Sequence, residues 1–150
     1  MNYHFRRLDK GDSDEMRALN RLFADVFEDN ESYAATLPSD EYLNVFLGDV
    51  KNIVLVAKDG EKVVGGLVAY VITKFEMERK EVYLYDLAVS NHYQRQGIGK
   101  ELIEKLKDVA RNVGAYVVFV QADEGDDAVH FYRSLHPSED LQTRNFDFTL

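Results

Sequence analysis

The chain has 150 residues, 45% of them hydrophobic and 12% aromatic, which suffices for one domain with a continuous core. Its formal charge of −9 opposes a nucleic-acid partner, because phosphate backbones are bound by basic faces; such acidity suits solubility or a cationic substrate. There is no cysteine, and His4, His92, His130 and His136 lack metal-ligand spacing, so the sequence predicts no disulfide, no thiolate chemistry and no metal.

No window approaches the ~20 consecutive apolar residues of a membrane span, and the first residues lack the apolar stretch of a signal peptide. A cytoplasmic protein without a membrane partner is therefore expected. Residues 3–8 read as a first strand. Asp12 and Glu15 have capping-box spacing ahead of a helical stripe formed by Met16, Leu19, Leu22, Phe23, Val26 and Phe27. Ser39 is placed to cap a second helix with Tyr42, Leu43, Phe46 and Leu47 on its apolar side, and Gly48 suits its end. Residues 52–58 and 62–72 form a predicted hairpin around Asp59-Gly60. Gly65-Gly66 inside its second strand suggests a bulge or a close backbone approach, with a plain sterically crowded strand as an equal alternative.

Residues 81–90 form a further predicted strand, and residues 100–113 a helix with Leu102, Ile103, Leu106, Val109, Ala110 and Val113 on one face, ended by Gly114. Residues 115–121 are a nearly all-apolar strand. An acidic turn over 122–127, a helix near 128–135 and an edge strand at 145–150 complete the prediction. Hairpins combined with one strand-helix-strand crossover imply an α/β (α+β) fold with a mixed sheet. No repeat, linker or low-complexity tract divides the chain, so one domain over residues 1–150 is expected.

The chemistry concentrates in Gln94-Arg95-Gln96-Gly97-Ile98-Gly99, between a strand and a helix. Two glycines permit unusual φ and close approach, the backbone amides of a helix N-terminus donate hydrogen bonds, and Arg95 and Lys100 add positive charge. A diphosphate suits such a turn. Leu102 stands where a dinucleotide fingerprint needs a small residue, and no Gly-Lys-Ser or Gly-Lys-Thr occurs, so neither of two better-known phosphate motifs applies. An ordinary glycine-containing helix start is the plain alternative.

This turn matches the Gln/Arg-x-x-Gly-x-Gly/Ala signature of the Gcn5-related N-acetyltransferase superfamily, and strand, helix, strand and a Phe-Tyr-containing helix lie around it in the superfamily's order. The segments LPSDEYL, KFE, YLYDLAVS, QGI, GAYVVFVQAD and GDD further resemble the aminoglycoside 3-N-acetyltransferases of type I, from about Asp29 onward. The resemblance implies a GNAT fold: a mixed, mostly antiparallel sheet flanked by helices, with strands at 84–89 and 116–121 splayed apart. It implies acetyl-CoA as cosubstrate, its arm along Leu87, Ala88 and Val89 and its diphosphate on Gln94, Arg95, Gln96, Gly97, Ile98, Gly99 and Lys100. An amide near Val89 would polarise the thioester carbonyl.

The same resemblance implies a cationic aminoglycoside acetylated on its 3-amino group in a ternary complex, antibiotic resistance, and a homodimer. Asp86 becomes the candidate general base, pointing to the substrate side if Leu87 faces the core. Tyr132 takes the superfamily position of the acid that protonates the leaving thiolate, although His136-Pro137 stands where glycine often follows this helix. Asp123, Glu124, Asp126 and Asp127 are candidate contacts for a polycation; Glu28, Asp29, Glu76 and Asp147 are weaker ones. Acetylation of another small-molecule, polyamine or protein amine, and an acyl-CoA-sensing module without turnover, remain open alternatives.

Overall fold

The computed structural model describes residues 2–150. It divides into two units, residues up to 120 and residues 121–150. The first contains, in chain order, β1 (His4–Arg7), α1 (Ser13–Phe27), α2 (Asn30–Tyr33), α3 (Asp40–Gly48), β2 (Asn52–Asp59), β3 (Lys62–Thr73), β4 (Lys80–Val89), a 3₁₀ turn (Asn91–Tyr93), α4 (Ile98–Asn112) and β5 (Ala115–Val120). The strands form one sheet in the order β1-β2-β3-β4-β5. Neighbours are antiparallel except β4 and β5, which run parallel. The long connection through α4 is what a parallel pair demands, since no hairpin turn returns a chain in the same direction. This is the mixed, mostly antiparallel sheet expected of the sequence.

Pleating sends alternate side chains to opposite faces. On one face Met16, Leu19, Leu22 and Phe23 of α1 and Leu43 and Leu47 of α3 form a core with Val54, Val56, Val68 and Ala88. The alternate strand residues Ile53, Leu55, Leu67, Val82 and Leu84 are buried as well, on the face covered by α4, whose buried stripe is Ile98, Leu102, Ile103, Leu106 and Ala110. Gly66 is required by packing. A Cβ there would meet Leu19 Cδ1 at 2.6 Å and the Leu55 carbonyl oxygen at 2.8 Å, closer than van der Waals contact permits.

Two irregularities interrupt the pairing. The β2–β3 register shifts between Ala57 and Lys58, beside Gly65, so the double glycine marks both a bulge and a close approach. The β3–β4 register pairs Val68 with Asp86 but Ala69 with Leu84, leaving Tyr85 as the extra residue. A bulge inverts the alternation beyond it. Leu84 therefore faces α4, whereas Asp86 shares the face of Val68 and Ala88.

Several local expectations change. Ser39 Oγ accepts from the Tyr42 amide at 3.2 Å, as a helix cap should, but the Asp12–Glu15 capping box does not form. Both carboxylates are drawn to Arg6, at 2.9 and 2.6 Å, and Asp12 also accepts from the Asp9 amide; a charge-assisted guanidinium pair outcompetes the neutral helix amides. The helix predicted from residue 100 begins at Ile98. α2, a single turn, is an addition.

The second unit contains α5 (Asp127–Ser134), capped by Asp126, whose side chain accepts from the Ala128 amide at 3.1 Å. Arg133 Nε pairs with Asp140 at 2.7 Å. The edge strand expected at 145–150 is absent. Phe146, Phe148 and Leu150 alternate as a strand would, yet all are exposed, and the Asn145 side chain donates to the Asp147 carboxylate two residues on. Alternation supplies a face but no ladder, and among the described residues no strand pairs with this segment.

Candidate active site

The candidate site of the first unit is assembled where β4 outlasts β5. Their pairing runs from Lys80 with Ala115 to Leu84 with Val120 and then stops. β4 continues to Val89, held by β3 alone. Along residues 85–89 the backbone groups directed away from β3 have no strand partner, a geometry that accepts an extended chain as an added strand does. Leu87, Ala88 and Val89 all lie on this freed stretch. β5 stays paired through its last residue, Val120, so the open side of β4 arises because β5 ends there rather than because the two strands diverge.

The chain then turns into α4. Gln94 folds back, its Nε2 donating to the Val89 carbonyl at 3.0 Å and to Asn91 Oδ1 at 3.2 Å. Gln96 accepts from the Tyr3 hydroxyl, and Tyr93 donates to Asp59 at 3.0 Å, so both flanks of the turn are fastened to the sheet. Arg95 at φ 60° and Gly97 at φ 85° are both left-handed. This conformation is uncommon for an arginine, and its cost is met by the surrounding contacts. Gly97 is the N-cap of α4 and no side chain caps it. The amides of Ile98, Gly99 and Lys100 precede the first intrahelical donor, Glu101, which bonds to the Gly97 carbonyl. Uncapped amides at a positive helix end, with Arg95 and Lys100 exposed beside them, form a cradle for a diphosphate. The residues present therefore fit the diphosphate and extended arm of acetyl-CoA.

Asp86 stands on the other side of the freed stretch. The Tyr85 bulge turns it toward the α1–α3 face, opposite to Leu87, where it is partly buried. Tyr33 of α2 donates its hydroxyl hydrogen to Asp86 Oδ2 at 2.7 Å. Tyr70 and Tyr85 meet edge to face, as do Tyr83 and Tyr85, both at 5.7 Å between ring centroids, and Phe119 stacks on Tyr83 at 4.7 Å. Burial pushes the Asp86 pKa above the ordinary carboxylate range, and the Tyr33 hydrogen bond partly offsets this. Burial and the adjacent Asp86 carboxylate push Tyr33 upward in turn, so it remains a phenol. A carboxylate of raised basicity inside a wall of aromatic faces suits an ammonium group: it attracts the cation and accepts its proton, while the ring faces stabilise positive charge.

Other candidates are placed differently. Glu28 adopts a left-handed conformation that closes α1, and Asp29 caps α2 by accepting from the Ser32 amide. Glu76 pairs with Lys74 at 3.1 Å. In the second unit Tyr132 lies on α5 with its ring against Phe131, and Asp123, Glu124, Asp126 and Asp127 are exposed around the start of that helix, with Asp126 engaged as its cap. Asp147 is held by Asn145. No cluster of metal-ligating side chains occurs among the described residues, and no helix there is long and apolar enough to cross a membrane.

Tyr33, Tyr70, Tyr83 and Tyr85 are absent from the site as read in the sequence. The available signal was the run EVYLYDLAVS. Val82 and Leu84 set a period of two that Asp86 breaks, and a polar residue at an inward position of a strand marks a bulge.

The likenesses to known proteins are extensive. Residues 14–136 match the model of the Acetyltransferase (GNAT) family. A crystal structure of an aminoglycoside acetyltransferase from an uncultured soil metagenomic sample, in complex with trehalose, is 40% identical, over 99% of this chain and 96% of that one, with a TM-score of 0.92. Another aminoglycoside acetyltransferase from such a sample is 36% identical over 99% of this chain and all of that chain, also at 0.92. Among curated relatives, the [ribosomal protein bS18]-alanine N-acetyltransferase of Escherichia coli K12 is 31% identical over 83 residues, 55% of each chain, and N-acetyltransferase 8B of Rattus norvegicus is 36% identical over 31% of its length. The chain thus spans about half or less of the curated relatives it matches. With most of its length covered by the family model and the sheet, turn and helix in place, the chain belongs to the acetyltransferase (GNAT) family.

Proposed function

We propose that the protein transfers an acetyl group from acetyl-CoA to the 3-amino group of an aminoglycoside, directly and within a ternary complex. The observation that carries this reading is Asp86, partly buried on the open end of β4, hydrogen-bonded by Tyr33 and near Tyr70 and Tyr83. The near full-length likeness to aminoglycoside acetyltransferases supports it, as does a structure of one of them solved with sisomicin. The family match crosses both units, which supports one catalytic domain over the 150 residues.

When bound, acetyl-CoA supplies an acetyl group activated as a thioester. Leu87, Ala88 and Val89 would hold its arm through backbone groups that no strand engages, and Gln94 to Lys100 would hold its diphosphate. Asp86 accepts a proton from the substrate ammonium, directly or through one water, leaving a neutral amine whose nitrogen forms the new C–N bond as the C–S bond breaks. The amide near Val89 stabilises charge on the carbonyl oxygen. Tyr132 gives its proton to the departing sulfur. Asp123, Glu124, Asp126 and Asp127 attract the remaining ammonium groups of the polycation. A homodimer acting in the cytoplasm, where it protects the cell from the antibiotic, completes the proposal.

The test is incubation with acetyl-CoA and gentamicin, with mass spectrometry counting acetyl groups and NMR locating them. A single acetyl on the 3-amine is expected. Failure to acetylate any aminoglycoside sinks the substrate assignment. The Escherichia coli relative favours a second reading, a protein α-amine. An N-terminal alanine peptide in competition with gentamicin decides between them.

A further inference from the structure

We propose that Tyr33 is a positioning residue for the acetyl-transfer reaction: from a one-turn helix, its hydroxyl fixes the Asp86 carboxylate and sets the pH at which that carboxylate becomes a base. The inference rests on the reading of Asp86 as the base and adds a residue to that site.

An isolated helical turn is unstable in water, so α2 must be held from outside. Asp29 caps it by accepting from the Ser32 amide at 3.1 Å, and the Asp29 carbonyl accepts from the Tyr33 amide at 3.3 Å. The Tyr33 ring then lies 5.7 Å from Phe23 and 5.6 Å from Phe27, partly buried against the core on the sheet face that carries Asp86. With its ring fixed there, the hydroxyl has one strong acceptor, Asp86 Oδ2, at 2.7 Å. This bond joins residues 53 apart in sequence. Tethering α2 does not require a carboxylate as the acceptor, and burying one is costly; a contact with that cost is expected where the carboxylate itself is used.

The surroundings leave Tyr33 as the controlling group. Tyr70 from β3 and Tyr83 from β4 lie within the electrostatic reach of Asp86. Tyr85, on β4, and Asp29, ahead of α2, act on Tyr33. Among the described residues no cation pairs with Asp86. Burial raises its basicity and the Tyr33 bond lowers it. Because Tyr33 stays protonated, it donates throughout the range in which Asp86 titrates. A donor to the carboxylate favours the charged form, so removing the hydroxyl must raise the pH at which the base forms.

The experiment compares the wild type with Tyr33→Phe, which keeps the ring packing, with protein carrying 3-fluorotyrosine at position 33, a more acidic and stronger donor, and with Asp86→Asn. Two readouts are taken: the ¹³C titration of the Asp86 carboxyl, which needs no substrate, and the pH profile of kcat/KM. In Tyr33→Phe the carboxyl midpoint and the acid limb of the profile are expected to rise together by about one pH unit; fluorination moves both downward. Circular dichroism shows that each variant is folded. Unchanged midpoints in both Tyr33 variants overturn the inference. If Asp86→Asn is inactive while the Tyr33 variants titrate as the wild type, this proposal alone fails and the base assignment stands. If Asp86→Asn retains full activity, the base assignment fails and the catalytic role of Tyr33 falls with it, whatever the titration shows.

Discussion

The two halves of β4 are built differently. From Lys80 to Leu84 the strand is bonded on both sides, by β3 and by β5. Side chains reinforce the pairing there: the Tyr116 hydroxyl donates to Glu81 at 2.5 Å, the Arg79 guanidinium lies 3.9 Å over the Tyr116 ring, and Tyr83 stacks on Phe119. From Tyr85 to Val89 one neighbour is lost, a bulge reverses the side-chain alternation, and Asp86 emerges on the face of α1. One half completes a sheet. The other has backbone groups without a strand partner and carries Asp86 on the α1 face, and the bulge at Tyr85 separates the two.

The largest test of that division is Asp86→Asn, isosteric and still able to accept from Tyr33. A loss of about 10²–10⁴-fold in kcat/KM is expected, with the acetyl-CoA dissociation constant little changed in calorimetry. The same variant should be more stable than the wild type at neutral pH. The Asp86 pKa is raised by folding, so between its unfolded and folded values the native state binds more protons, and stability falls as pH rises through that window. Above the window the buried charge costs stability that Asn does not. The thermal gain should therefore vanish as the pH drops below the ordinary carboxylate range; a gain that persists there refutes the linkage.

Next in size is Gly66→Ala, on β3 opposite Ala88, in the register that supports the freed half. The added methyl must displace Leu19 or the Leu55 carbonyl, and overpacking of this kind costs about 1–3 kcal/mol, to be read from urea unfolding. Gly65→Ala is the control, since its nearest contacts would be 3.3 Å, to the Ala88 carbonyl oxygen and Ile98 Cγ2. It should lose less. Gly97→Ala meets no neighbour within 4 Å, so its penalty is conformational alone, about 1 kcal/mol for a left-handed alanine. Because that strain falls on the turn proposed to hold the diphosphate, a higher KM for acetyl-CoA is expected with kcat toward the amine retained.

The conformation of the turn at Gln94 to Gly99 was legible in the sequence and the surroundings of Asp86 only in part, for a physical reason. The role proposed for Gln94 to Gly99 falls mainly to the backbone, whose conformation there depends on glycines and on a helix start, both local signals. The sheet was legible on similar grounds: Asp59-Gly60 marked its hairpin, and the crossover through α4 dictated the parallel pair. Tyr33 lies 53 residues from the carboxylate it contacts, on a helix too short for any periodicity to reveal. Asp12 and Glu15 failed as a capping box because Arg6 competes from a strand, and Phe146, Phe148 and Leu150 failed as a strand because alternation cannot specify a partner. Contacts within a few residues were readable; those decided by the assembled sheet were not.

The smallest predicted effect lies in the closed half of β4, where Tyr116→Phe removes the bond to Glu81 and retains the ring beneath Arg79. That bond holds the Glu81 carboxyl below the usual carboxylate range and pushes the Tyr116 phenol upward. Both groups are solvent-screened, so their contribution is small, and a slight fall in Tm is expected. For Glu81 the folded-state pKa is depressed, so its contribution is present above the unfolded value and lost as pH falls through the folded one. The difference in Tm between wild type and Tyr116→Phe should therefore narrow on acidification. KM values for both substrates should not move, because Glu81 and Tyr116 hold the ladder where it is still closed. If this variant weakens acetyl-CoA binding as much as Gly97→Ala does, the two halves of β4 are not independent, and the open half is governed by how tightly the closed half is paired.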